Sequence, residues 1–185
     1  MAVLVISLVT WQVAVRGPLA RLDERMSRAV VDAVPRWLSE AGADLGNMEV
    51  ALPVLGCAMA YAVWQGRRTA ALYAGLAMAA VPLLVIPLKE WTARPGPLEP
   101  WAQGYFPSGH TATAMVAYCG AAMLVRRRWA MPVAWVLTAA TGIGLILRGY
   151  HWPLDVVASL GLGLLLLAAG SRGRRPTGST RRSSG

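Results

Sequence analysis

Long apolar runs separated by short polar segments dominate this chain of 185 residues. Five of the runs are nearly free of charge and cover residues 50–64, 70–88, 111–125, 129–147 and 152–170. A helix of nineteen residues rises about 28 Å, which is close to the hydrocarbon thickness of a bilayer. The second, fourth and fifth runs have that length, and the other two are somewhat shorter. The pattern therefore predicts helices that cross a membrane.

A sixth apolar run, residues 1–15, is shorter still. A secretory signal peptide is one interpretation, but such a peptide carries basic residues before its apolar core, and none precedes this run. We therefore interpret it as a first span. A soluble helical bundle is the alternative for the whole chain, and it is disfavoured because runs of this length lack the polar face of a water-exposed helix.

Between the first two runs, residues 16–49 alternate apolar and charged positions at helical spacing. The apolar positions are Leu19, Leu22, Met26, Val30, Val34, Trp37 and Leu38. This spacing is typical of amphipathic helices that lie in a membrane interface. A packed connector between two spans is the alternative that the pattern leaves open.

Arginine is distributed unevenly over the polar segments, and this asymmetry predicts the topology. Ten arginines fall in three segments without Asp or Glu: 67–68, 126–128 and the tail after residue 170. Lys and Arg concentrate in cytoplasmic loops. With six spans, both termini are cytoplasmic, and the segments 16–49, 89–110 and 148–151 lie outside. The expected fold is thus all-α, a six-span transmembrane helix bundle with an amphipathic segment on its outer face.

The net charge of +9 does not indicate a nucleic-acid partner, because the basic clusters are short, adjoin the spans and lack interleaved aromatic residues. Residues 1–170 are expected to form the membrane-embedded domain. Residues 171–185 are rich in Arg, Ser and Gly and are expected to form a disordered cytoplasmic tail. Cys57 and Cys119 lie in predicted spans and indicate neither a disulfide nor a metal site.

Rare residue types gather at the predicted outer ends of the spans. The chain has two histidines, His110 and His151, and a single lysine, Lys89, and all three occupy such ends. Ser108 and Gly109 come directly before a predicted helix, whose free N–H groups and positive dipole end attract anions. The Ser108 hydroxyl can cap that helix or donate to a phosphate oxygen. The alternative is an ordinary turn before a helix.

His151 and Asp155 are four residues apart at the start of the last span, so their side chains can meet on one helix face. A carboxylate bonded to one ring nitrogen fixes the tautomer and leaves the other nitrogen free to attack or to transfer a proton. A pair that only satisfies itself is the alternative. Lys89 and Arg94 bracket the end of the third span, where membrane-edge anchors are an equally simple interpretation.

Together these motifs resemble those of the type 2 phosphatidic acid phosphatase superfamily, which are Lys-x6-Arg-Pro, Pro-Ser-Gly-His and Ser-Arg-x5-His-x3-Asp. The resemblance covers about residues 82–170, and residues 107–110 match the second motif in full. It implies a phosphatase without metal or cofactor, in which His151 attacks phosphorus, Asp155 orients it and His110 protonates the leaving oxygen. The implied phosphate-binding residues are Lys89, Arg94, Ser108, Gly109 and Arg148.

Two positions depart from the family pattern. Gly96 stands at the place of the first-motif arginine, and Gly144 and Leu145 stand at the place of the third-motif Ser-Arg. Arg94 and Arg148 lie close to these places. They are expected to take over phosphate binding.

The resemblance implies hydrolysis of the phosphate monoester or diphosphate of a lipid, through a phosphohistidine. The arginine asymmetry predicts that the site lies at the extracytoplasmic face of the cell membrane. The lipid phosphate itself is left open. The alternative is a catalytically degenerate lipid-binding or lipid-moving membrane protein of the same fold, and the His151–Asp155 pair argues against it. A soluble haloperoxidase-like relative that uses vanadate is disfavoured by the spans.

Overall fold

The computed structural model describes residues 2–172, and every regular element within them is helical. The elements in chain order are α1 (Ala2–Ala14), α2 (Pro18–Val30), α3 (Arg36–Asp44), α4 (Met48–Trp64), α5 (Arg68–Thr92), α6 (Gly109–Ala114), a π-helical turn (Met115–Cys119), α7 (Gly120–Val125), α8 (Ala130–Leu147) and α9 (Pro153–Arg172). The all-α prediction is confirmed for this part of the chain. The predicted basic tail lies outside it, apart from the last two residues of α9.

Each predicted apolar run corresponds to a helix, but the helices differ in length. Helices α5, α8 and α9 are each long and apolar enough to cross a membrane. Helices α1 with α2, and α3 with α4, meet the same criterion only as pairs, which are bent by 83° and 43°. The described residues therefore hold three to five candidate spans, and the count of six stays a prediction.

The centre of the bundle is one continuous helix formed by α6, the π-helical turn and α7. It is apolar but short for a span. Every residue from 111 to 122 is buried, because α4, α5, α8 and α9 surround it. The helix begins at Gly109. The surrounding helices therefore fix the position of its N-terminal end, where candidate catalytic residues lie.

The outer helices turn small residues inward and large apolar residues outward. On α5, Ala70, Ala74 and Ala77 are buried, whereas Leu76 and Leu83 are exposed. Small residues allow membrane helices to approach closely, and lipid solvates large apolar side chains on their outer surface. This distribution fits a protein surrounded by lipid.

Helices α2 and α3 lie within residues 16–49, where the spacing predicts helices, and α2 reveals which face packs on the protein. The buried residues are Ala20, Asp23 and Ser27, whereas Leu22 and Met26 are exposed. The small and polar face therefore contacts the bundle, and the apolar face is directed away from it. The position of this segment on the outer membrane surface stays a prediction.

Helices α3 and α8 pack with their backbones in direct contact. A Cβ atom added at Gly144 of α8 would lie 2.5 Å from the Ala43 nitrogen and 2.6 Å from the Ser39 carbonyl oxygen. A Cβ at Gly42 would lie 2.8 Å from the Ala140 carbonyl oxygen. Glycine on both helices is therefore what allows this close approach.

We expect Gly144→Ala to lower the free energy of unfolding by about 1–3 kcal/mol, because its new methyl group meets backbone that cannot turn aside. Tryptophan fluorescence during thermal unfolding in detergent micelles measures the change. Gly56→Ala on α4 is the matched control, since a Cβ there meets nothing within 4 Å. Equal midpoints for the two variants would contradict the close-packing argument.

Candidate active site

The first candidate motif, residues 107–110, leads into the central helix. Ser108 is the N-cap of that helix, and its Oγ accepts hydrogen bonds from the Thr111 backbone N–H at 3.3 Å and the Thr111 hydroxyl at 3.1 Å. Ser108 is fully buried, whereas His110 is exposed. The structure thus shows the capping role of Ser108, and its donation to phosphate stays a prediction.

The second candidate pair meets at the start of α9, as its spacing predicts. The Nδ1 atom of His151 lies 3.2 Å from Oδ2 of Asp155, and the same oxygen accepts the Trp152 backbone N–H at 3.0 Å. Asp155 has no exposed surface, and His151 is 6% exposed. With Nδ1 on the carboxylate, Nε2 is the ring nitrogen left for chemistry.

Two cavities share the two histidines as lining residues. The apolar cavity, of about 460 Å³, lies between α4, α5 and α6 and includes Leu52, Val81 and Ile86. The second cavity, of about 380 Å³, has a mixed lining: the polar side chains of Asp44, Asn47, Glu99, Tyr105 and Tyr150 line it together with Leu98 and Leu145. A molecule with an apolar tail and a polar head can therefore place the junction of the two parts beside His110 and His151.

Lys89 lies in the last turn of α5 and lines the apolar cavity together with Gly109 and His110. It is partly buried. Of the residues that the structure describes, it is the one Lys or Arg that lines either cavity. The structure therefore brings the predicted ammonium group and the N-terminus of the central helix to the histidines.

Arg94 contacts the site through Asp155, at the carboxylate oxygen that His151 does not contact. Its Nη1 lies 2.6 Å from Oδ1 of Asp155, and its Nη2 lies 2.7 Å from Oδ2 of Asp23. The side chain is 4% exposed and lines neither of the two cavities. The predicted contact between Arg94 and phosphate stays a prediction, and the guanidinium is engaged with two carboxylates.

Arg148 is engaged with α3 and the preceding loop. Its Nη1 lies 3.0 Å from Oδ1 of Asp32, and its Nε lies 2.6 Å from Oε2 of Glu40. The Tyr150 hydroxyl donates to the other Glu40 oxygen at 2.8 Å. Arg148 also lines neither cavity. Its ion pairs hold α3 against the end of α8, and its predicted phosphate contact stays a prediction.

Gly96, which departs from the family motif, makes room for an aromatic ring. A Cβ at Gly96 would lie 2.4–2.7 Å from ring atoms of Tyr105. The Tyr105 ring meets the His151 ring edge-on, with centroids 5.8 Å apart, and its hydroxyl donates to Glu99 at 2.8 Å. Burial, together with this hydrogen bond, raises the pKa of Tyr105, so the phenol stays neutral beside His151.

Sequence reasoning missed Asp23, which α2 places behind the candidate nucleophile. Its Oδ1 accepts the Leu154 backbone N–H at 2.9 Å, and its Oδ2 pairs with Arg94. A signal was present, because Ala20, Asp23 and Ser27 form a helical stripe beside the apolar one. A carboxylate on such a stripe next to a membrane needs a partner.

Comparison with known proteins agrees with this site. A model of the PAP2 superfamily matches residues 70–176. The structure is similar to the crystal structure of a transmembrane PAP2-type phosphatidylglycerolphosphate phosphatase from Bacillus subtilis, with a TM-score of 0.78 and 26% identity over 95% of this chain and 97% of that chain. No curated protein sequence matches. Since the family model covers more than half of the sequence, the chain belongs to the PAP2 superfamily, as a membrane-embedded phosphatase of that family.

Proposed function

We propose that the protein hydrolyses the phosphate ester or diphosphate of a lipid, with His151 as the nucleophile. The observation that carries the proposal is the buried His151–Asp155 pair, placed where an apolar cavity and a cavity of mixed lining share both histidines. A lipid phosphate likewise joins an apolar chain to a polar phosphate group.

The reaction proceeds in two displacements at phosphorus. The Nε2 lone pair of His151 forms a bond to phosphorus, and the bond from phosphorus to the leaving oxygen breaks as His110 donates a proton to that oxygen. Asp155 keeps the proton on Nδ1 and stabilises the positive charge of the phosphorylated ring. Water then attacks phosphorus, His110 accepts its proton, and the phosphohistidine bond breaks to release phosphate.

The phosphate oxygens are held at the N-terminus of the central helix. There the Gly109 N–H and the helix dipole favour an anion, and Lys89 supplies a full positive charge. The Ser108 hydroxyl accepts two hydrogen bonds, so its own proton is left to donate. Arg94 and Arg148 are both paired with carboxylates, and we assign the main phosphate contacts to Lys89 and the helix terminus.

Metal independence is part of the proposal. The positive charge that phosphoryl transfer requires comes from Lys89, the helix terminus and the donors around them. The carboxylate nearest to the nucleophile, Asp155, is already engaged with Arg94, His151 and the Trp152 N–H. Within residues 2–170 no cluster of three or more His, Cys, Asp and Glu has a geometry that could hold a metal ion.

A catalytically degenerate lipid-binding protein is the second candidate. The motif departures at Gly96 and Leu145 favour it, because the family arginines are missing there. Arg94 and Arg148 are bound to carboxylates, so Lys89 is the one Lys or Arg of the described residues that lines the cavities. An oriented histidine nucleophile has no use in a binder. A turnover assay separates the two candidates.

The active-site end is proposed to face the outside of the cell membrane. Arg67 donates to the Leu124 carbonyl at 2.6 Å, so the basic loops 67–68 and 126–128 share the end of the bundle opposite to Gly109. Exposed Trp64 and Trp129 lie near these loops. Positive loops are cytoplasmic, and exposed tryptophans mark membrane interfaces.

Purified protein in detergent with EDTA should release phosphate from at least one member of a panel of phosphatidic acid, phosphatidylglycerol phosphate and a polyprenyl diphosphate. We expect His151→Asn to abolish turnover, because no nucleophile remains. His110→Asn should slow leaving-group departure and the attack by water, and thereby trap a phosphoenzyme that acid hydrolyses. Normal turnover by His151→Asn would refute the mechanism.

Gly46→Ala should displace the general acid. A Cβ at Gly46 would lie 2.7 Å from the methyl carbon of Thr141, 2.9 Å from the His110 Cβ and 3.1 Å from the His110 carbonyl oxygen. Thr141 is fully buried and the helix that begins at Gly109 is surrounded by other helices, so neither side can yield freely. Misplacement by about 1 Å can cost on the order of 100-fold in rate, and we expect a kcat loss of 10-fold or more on this basis. Gly56→Ala serves again as the control and should keep wild-type kcat.

Cysteine labelling of intact cells tests the proposed topology. In a Cys57→Ser background, an impermeant thiol reagent should label Trp101→Cys, since Trp101 is 79% exposed in the loop before the active-site helix. Arg127→Cys should be labelled only after permeabilisation. The opposite pattern would place the active site on the cytoplasmic side.

A further inference from the structure

We propose that Asp23 and Arg94 are positioning residues for the nucleophile, because together they fix the orientation of the carboxylate that orients His151 and set the net charge behind it. The inference rests on the proposed role of His151. It assigns a function to α2, a helix that lies outside the segment matched by the family model.

A continuous chain of charged contacts runs from α2 to the imidazole ring. The Nδ1 atom of His151 lies 3.2 Å from Asp155, whose other oxygen lies 2.6 Å from Arg94 Nη1. The second nitrogen of Arg94 lies 2.7 Å from Asp23. All four residues are buried, with exposed fractions of 6% or less. Removal of one partner therefore leaves a buried charge unpaired.

Arg94 is held in one orientation by more than its two carboxylates. Its guanidinium carbon lies 5.4 Å from the centroid of the Trp152 ring. The Trp152 indole N–H donates to the carbonyl of Pro95 at 2.8 Å, and the Trp152 backbone N–H donates to Asp155. Trp152, which follows the nucleophile, is thus hydrogen-bonded to Pro95, which follows Arg94. This arrangement presents both guanidinium nitrogens to carboxylates at the same time.

Asp23 connects α2 to the first turn of α9. Its Oδ1 accepts the Leu154 N–H at 2.9 Å, which is one of the backbone donors that a helix start leaves without a partner. Its Oδ2 binds Arg94. A single carboxylate therefore positions both the arginine behind Asp155 and the helix turn that carries Asp155.

The charges of this chain of contacts match the proposed intermediate. Arg94 alone would cancel the charge of Asp155. With Asp23 present, two carboxylates and one guanidinium leave one net negative charge behind His151, since the nearby carboxylate of Glu24 is paired with Arg28 at 3.7 Å. When Nε2 is bonded to phosphorus and Nδ1 keeps its proton, the ring carries a positive charge. Preorganised opposite charge in a buried site stabilises such a species most effectively.

Asp23→Asn is the direct test. The amide has one acceptor oxygen, so its NH2 group must face either the Leu154 N–H or the Arg94 guanidinium, and both are donors. We expect kcat to fall by about 10- to 100-fold from loss of orientation. The KM and the inhibition constant of inorganic orthophosphate should stay within about twofold, because no phosphate contact is removed.

Glu24→Gln is the matched control. Glu24 neighbours Asp23 on α2, is 31% exposed, and has its Oε1 atom 3.9 Å from Arg94 Nη2. The substitution removes the same charge at nearly the same place. Its kinetics should stay at wild-type level. A loss as large as that of Asp23→Asn would show that kcat depends on negative charge in this region and not on orientation by Asp23. That result would overturn the positioning role.

A spectroscopic measurement makes the test independent of turnover. The chain has two histidines, so His110→Asn protein labelled with ¹⁵N-histidine reports on His151 alone. A ring held as the Nδ1–H tautomer has two well separated nitrogen signals. Adding Asp23→Asn should mix the tautomers and move the two signals toward each other, and Glu24→Gln should leave them separate.

The outcomes distinguish this inference from the proposed function. Wild-type kcat and unchanged His151 signals in folded Asp23→Asn protein would overturn the positioning role while the phosphatase stands. Converging signals in a protein that turns over no lipid phosphate would support the positioning role and refute the function. A raised KM and orthophosphate constant with unchanged kcat would also overturn it, because they indicate a phosphate contact.

If Asp23→Asn does not yield folded protein, Arg94→Lys takes its place. The ammonium group keeps the charge but lacks the planar fork that reaches Asp23 and Asp155 together. The same fall in kcat and the same convergence of the His151 signals are expected. Unchanged values for both would overturn the inference.

Discussion

A buried carboxylate is tolerated only when charged and hydrogen-bonding partners surround it, and the active-site end of this protein is arranged around one. Asp155 has no exposed surface, and its two oxygens accept from Arg94, the Trp152 N–H and the imidazole of His151. Arg94 in turn pairs with Asp23. The loop after α5, the start of α9 and helix α2 are therefore held together by one set of charges, and displacement of any member leaves an uncompensated charge in the interior.

The bundle brings the remaining chemistry to this carboxylate through the packing of small residues. The central helix is buried along its length, so Gly109 and His110 at its N-terminus have a defined position. Gly46 lies against His110, and Gly144 lies against the backbone of α3. Side chains larger than glycine would separate these helices. The two cavities that share the histidines exist because α4 and α5 close one side of His110, and α3 with the loop before α6 closes the other.

The departures from the family motifs have local structural consequences. Gly96 leaves space that the Tyr105 ring occupies, and this ring contacts the edge of His151. Gly144 allows α3 to rest on α8, where Arg148 then pairs with Glu40. Arg94 and Arg148 keep their charges engaged with carboxylates. The cavities consequently hold less positive charge than the sequence predicted, and the proposed phosphate site depends on Lys89 and the helix N-terminus.

The sequence by itself determined the features that depend on local periodicity. Runs of apolar residues predicted the helices, and the four-residue spacing of His151 and Asp155 predicted their contact, because one helical turn brings such residues together. Pro-Ser-Gly-His predicted the capped helix start at Ser108. Only the tertiary structure decided which charges meet across the bundle. Asp23 and Arg94 lie 71 residues apart and meet where α2 packs against α9, because Arg94, in the loop after α5, pairs with Asp155 of α9. No periodicity along the chain encodes which buried carboxylate a distant arginine will neutralise.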